Sequence, residues 1–88
     1  MSRSYLWEPA PAPPVEGGSV GLWLWSILCE RYDLGDDRNA LAGYTLDQDD
    51  ITFLTGVALA ASADNREDVD DVIAAIRKHG TVVLKVEY

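Results

Sequence analysis

The C-terminal stretch TVVLKVEY (81–88) decides the fold. Val82, Leu84 and Val86 alternate with Val83, Lys85 and Glu87, the period-two pattern of a strand with one face on a core and one in water. Its backbone N–H and C=O groups need ladder partners, because such groups are costly to bury unpaired. The best match within the chain is SRSYLWE (2–8), where Arg3, Tyr5 and Trp7 alternate with Ser4, Leu6 and Glu8. Two strands make a thin sheet, so the segments between them must supply helices to cover one face.

Three helices are expected there. The first runs over about 20–33, with Ser19 as N-cap and Gly35 available for a left-handed C-terminal turn. The second spans about 48–62. Asp47 caps it, Leu46 and Ile51 hold the spacing of a hydrophobic staple, and Ile51, Leu54, Val57, Ala58 and Ala61 share one side. The third follows a cap at Asp64 or Asn65 and ends at Gly80. Acids crowd its N-terminal half, and Arg77, Lys78 and His79 fill its last turn, the arrangement that suits the helix dipole. Val69, Val72, Ile73 and Ile76 form its buried stripe. The predicted fold is therefore α+β, three helices packed on a short antiparallel pair of N- and C-terminal strands, in the order β-α-α-α-β. Residues 1–88 make a single small globular domain, with 9–18 as a Pro/Gly-rich connector.

Composition narrows the function classes. The formal net charge is −8, from 15 acids against 7 bases. That balance opposes direct binding to nucleic acid or an anionic membrane and suits a protein partner of basic charge. A single cysteine allows no internal disulfide, which fits a cytoplasmic protein. The opening MSRSYLWEPAPAPP lacks the 7–15-residue apolar stretch of a secretory signal, and the longest apolar run, near 20–29, is too short to span a bilayer. Catalytic signals are weak. His79 sits at a helix end, Cys29 lies among apolar residues, and neither belongs to a nucleophile–base pattern. The acid runs at 33–37, 47–50 and 64–71 lack calcium-loop spacing and are explained as caps and dipole partners. No enzyme activity, metal or cofactor is expected.

The run SVGLWLWSIL (19–28) carries the functional expectation. On a wheel started at Val20, apolar residues cover an arc of about 260°, well beyond the stripe of an ordinary surface helix. Trp23 and Trp25 fall about 160° apart, so one core does not readily hold both. Either the helix is central and covered on two sides, or part of the arc meets a partner; a strand buried on both faces is the third reading. Trp23, with Val20, Leu24 and Ile27, is expected in the core. Trp25, Leu22, Cys29 and Tyr32 are expected to form the partner-binding face, with Trp7 on the N-terminal arm as a second contact. The expected function is a small acidic non-enzymatic interaction module, acting as adaptor, inhibitor or regulator. The alternatives are an obligate homo-oligomer, in which a second copy covers the patch, and an acidic DNA mimic that occupies a nucleic-acid-binding protein.

Overall fold

The computed structural model describes residues 3–10 and 17–87. Strand β1 (Ser4–Ala10) is followed by the two-residue β2 (Gly18–Ser19), helix α1 (Leu22–Arg31), a 3-10 turn (Arg38–Leu41) and β3 (Thr45–Asp47). A second 3-10 turn (Gln48–Asp50) leads into α2 (Ile51–Ala60), then α3 (Ala63–His79) and β4 (Thr81–Glu87).

The expected pairing of N- and C-terminal strands forms the centre of the sheet. β1 and β4 run antiparallel over their full length, from Ser4 opposite Glu87 to Ala10 opposite Thr81. The sheet has four strands rather than two, in the order β2-β1-β4-β3, all antiparallel. β2 and β3 escape a pattern reading because two or three residues cannot display an alternation. They are defined by register alone, Leu6 opposite Ser19 and Leu46 opposite Val82. The expected connector is correspondingly shorter: Pro9 and Ala10 end β1 and Gly18 lies in β2, while residues 11–16 of it lie outside the described residues. Among the described residues β2 reaches only to Trp7, and β4 is the ladder neighbour of β1 at Pro9.

Tyr5, Trp7 and Pro9 of β1 lie opposite Val86, Leu84 and Val82 of β4 and face the helices. The other face carries Leu6, Glu8, Val83 and Lys85, only partly exposed, with Lys85 Nζ 3.1 Å from Glu8 Oε1 and 3.7 Å from Glu87. The Glu8 hydrogen bond and charge raise the Lys85 pKa above its ordinary value. The helices supply Leu24, Trp25, Leu28, Leu54, Val69, Val72 and Ile76, all fully buried.

Helix α1 starts later than expected. Ser19 is part of β2, and the Val20 N–H donates to the Tyr5 carbonyl at 2.7 Å, so Val20 continues the sheet edge. Gly21 is the N-cap, in extended conformation. A Cβ there would meet the Asp68 side chain of α3, which would have to move aside. The α3 cap is also displaced: Ser62 occupies it, and Asp64 and Asn65 lie inside the first turn.

Two termini match the expected chemistry. The Asp49 N–H donates to Asp47 Oδ1 and the Asp47 N–H to Asp50 Oδ2, each at 2.9 Å, a reciprocal cap before α2. Gly80 takes a φ of 85°, and its N–H donates to the Ile76 carbonyl to close α3. Between α2 and α3, the Arg66 guanidinium donates to the Ala58 and Ala61 carbonyls and satisfies the end of α2.

Trp25 fastens α1 to this sheet. Its ring lies 4.6 Å from that of Tyr5 and its indole Nε1–H donates to the Arg38 carbonyl at 2.9 Å. Trp25→Ala removes a fully buried indole and is expected to cost about 3–5 kcal/mol, a large share of the roughly 5–15 kcal/mol available to a domain. Trp25→Phe keeps most of the ring but leaves the carbonyl without its donor, and is expected to cost about 1–3 kcal/mol. Urea unfolding of the three proteins checks both values.

Candidate functional site: the exposed face of helix α2

The two tryptophans of α1 do point apart, but their environments are the reverse of the expectation. Trp25 has 0% exposure and Cys29 only 2%, so neither presents a surface to a partner. Trp23 is half-buried. The reversal follows from Val20: anchoring the wheel on that residue assigns the core side to Trp23, whereas Val20 belongs to the sheet edge. The face of α1 laid on the sheet is Leu24, Trp25, Leu28 and Cys29.

The remaining expected contacts are scattered. Leu22 is 51% exposed at the start of α1. Tyr32 is half-buried, with its ring 4.7 Å from Tyr44. Trp7 is docked on its own fold, against the Gly18 backbone and 6.1 Å from the His79 ring. These residues do not form one patch with Trp25.

The apolar surface lies instead on α2, which the sequence treats as an ordinary core helix. Its segment ITFLTGVALA holds no charged residue. Leu54 and Ala58 are buried, and α2 packs along α3 while barely meeting α1. Thr52, Thr55, Gly56, Leu59 and Ala60 are exposed, Leu59 to 76%. These positions follow i, i+3, i+4, i+7 and i+8, the spacing of a continuous helix face. A surface helix normally places charged residues there.

Beside this face, Trp23 and Ile27 of α1 and Phe53 and Val57 of α2 line an open groove of about 430 Å³, floored in part by Gly56. At one end of it the Arg31 guanidinium lies 4.1 Å from the Phe53 ring centroid and 2.9 Å from Asp50. That cation on an aromatic face and its ion pair fix the position of the Phe53 ring. Asp47 and Asp49 are exposed just before α2, and Asp64 and Glu67 just after it. The face is therefore uncharged along its length and flanked by acids before and after it, with Arg66, Asp70 and Arg77 beside Thr55 and Leu59 on its α3 edge.

Gly56 is the least explained residue of the face. Its backbone is in an ordinary helical conformation, and a Cβ built there meets nothing within 4 Å. Glycine in an exposed helix interior costs about 0.8–1 kcal/mol relative to alanine. The fold gains nothing visible in return.

Two further hollows differ in character. Ser26, Cys29, Glu30, Gly35, Asp36 and Arg38 surround a more polar one of about 320 Å³. Burial raises the Cys29 pKa above its ordinary 9.0, outweighing the opposing charge of Arg38, so the group is a thiol rather than a nucleophilic thiolate at neutral pH. Thr55, Leu59, Arg66, Asp70, Ile73 and Arg77 border the other, of about 280 Å³, on the far side of the exposed face. Among the described residues, no three of His, Cys, Asp and Glu converge on a point that would hold a metal. No described helix is long and apolar enough to cross a membrane.

Gly56→Ala is expected to raise stability by about 1 kcal/mol, measured by urea unfolding. A second expectation concerns pH. Burial, followed by the charge of Asp50, raises the Tyr32 pKa above 10.0, as burial raises Cys29 above 9.0. The unfolded chain ionises both groups at their ordinary values. Their contribution is intact below pH 9.0 and is lost as pH climbs through the raised folded values. Unfolding midpoints should fall in alkali, and Cys29→Ala should reduce that fall.

No protein-family model, curated protein or solved structure matches the chain, and the candidate site therefore stands on its geometry.

Proposed function

We propose that the protein is a small cytoplasmic interaction module without catalytic activity, an adaptor, inhibitor or regulator that binds a protein partner through the exposed face of α2 and the Trp23–Phe53 groove. The observation that carries this reading is the uncharged solvent-facing stripe Thr52, Thr55, Gly56, Leu59 and Ala60. Covering such a run desolvates no charge, only the Thr52 and Thr55 hydroxyls, while removing the apolar surface of Leu59 and Ala60 from water. Trp23 and Phe53, half-buried at its edge, are anchors of the type that dominate binding energy. Gly56 supports the same reading: an exposed glycine that the monomer does not need lets another backbone come close.

The non-catalytic side is supported by the protonated, buried state of Cys29, and by the position of His79, the single histidine, at the end of α3 beside Trp7. The interaction expected from α1 is retained in kind but moved in place. Trp23 replaces Trp25 as its aromatic anchor, and Leu22 lies next to Trp23 in the sequence.

Gly56→Gln places a long uncharged side chain on the face without touching the fold. In affinity capture from a lysate of the source cells, wild-type protein is expected to retain a defined protein, and Gly56→Gln and Trp23→Ala are expected to lose most of it. Circular dichroism should show both variants folded. A captured set that is identical for wild type and Gly56→Gln would overturn the assignment of this face.

A further inference from the structure

The acids at the ends of the α2 face identify the chemistry of its occupant. We infer that the face receives a helix of a different protein, apolar along about three turns and carrying Lys or Arg at both ends. This deepens the proposed function and rests on its assignment of the face.

Three observations converge. First, α2 itself is uncharged from Ile51 to Ala60, a length of ten residues, or about 15 Å at 1.5 Å per residue. Second, Trp23 and Ile27 of α1 and Phe53, Gly56 and Val57 of α2 line one open groove between the two helices. Such a cleft accepts the ridge of a third helix, which presents side chains at i, i+3, i+4 and i+7. Third, the charges bracket the apolar stretch. Asp47 and Asp49 stand at its N-terminal end, and Asp64 and Glu67 follow its C-terminal end. Arg31 is paired with Asp50 at one end, and at the other Arg66, held on the Ala58 and Ala61 carbonyls, offsets only one of the two acids Asp64 and Glu67, so each end keeps a net negative charge. Cations on the incoming helix about ten residues apart match this spacing.

The same charges argue against a second copy. An antiparallel pairing of two α2 faces brings Asp49 of one copy toward Asp64 and Glu67 of the other. A parallel pairing brings Asp49 toward Asp49. Either arrangement sets acid on acid at the rim, between chains that each carry −8. A basic-ended helix relieves this repulsion, and its attraction speeds association as well as fixing its register.

The test uses the full chain and a phage-displayed library of random 16-residue peptides, selected on wild-type protein and counter-selected on Gly56→Gln. Enriched sequences are expected to repeat apolar residues at helical spacing between terminal Lys or Arg residues. A synthetic peptide of that sequence should bind wild type about tenfold more tightly than the double variant Asp49→Asn/Asp64→Asn. That difference should fade as salt approaches 1 M, where the Debye length is about 3 Å. Gly56-dependent peptides with neutral or acidic ends would overturn the charge assignment and leave the interaction reading standing. Enrichment indifferent to Gly56→Gln would overturn both. A dimer seen by sedimentation in wild type and lost in Gly56→Gln would replace the foreign helix with a second copy, overturning the inference.

Discussion

The structure depends on the burial of one indole. Trp25 sits where the helical layer meets the sheet, with its ring against Tyr5 and its N–H satisfied by the Arg38 carbonyl. A buried tryptophan is tolerable only when that N–H finds an acceptor. The 3-10 turn at Arg38–Leu41 supplies it and in doing so ties the α1–β3 connection to the core. With Trp25 fixed inward, the opposite side of α1 has to face out. Trp23 and Ile27 are then available to line the groove beside α2. The core contact and the candidate site are two consequences of one helix rotation.

The sequence makes the long elements readable because each carries a repeated pattern. Strand β4 alternates, α3 has an acidic start, a basic end and one apolar stripe, and the Asp47–Asp50 cap is explicit in the residues. The pairing of β1 with β4 follows from the need of a lone strand for a partner. The short strands and the exact rotation of α1 are different. Ser19 and Val20 look like the start of a helix, but the ladder bond from the Val20 N–H to Tyr5 takes them into the sheet. Local propensity has no access to a contact with a residue fifteen positions away.

The candidate site is hard to see in the sequence for a related reason. ITFLTGVALA reads as a core helix with Ile51, Leu54, Val57 and Ala58 on one side, and Leu54 and Ala58 are buried. What pattern cannot reveal is that the opposite side is left exposed among the described residues. The clue was Gly56, a poor helix residue in the middle of an otherwise good helix, paired with the absence of any charge between Asp50 and Asp64. Trp25, by contrast, is expected on the partner face and is fully buried, as are Leu24 and Leu28.

The register of β1 with β4 has a consequence for the order of events during folding. The two central strands come from opposite ends of the chain, Ser4 lying against Glu87 and Ala10 against Thr81. Every helix is closed inside that loop. During synthesis the core sheet has no centre until Glu87 is in place, so the helices emerge first and wait with Leu54, Val69, Val72 and Ile76 uncovered. Closing a loop of this length is entropically slow. The core faces of β1 and α1, made first, are thus exposed longest in the nascent chain, and its net negative charge opposes sticking to its neighbours.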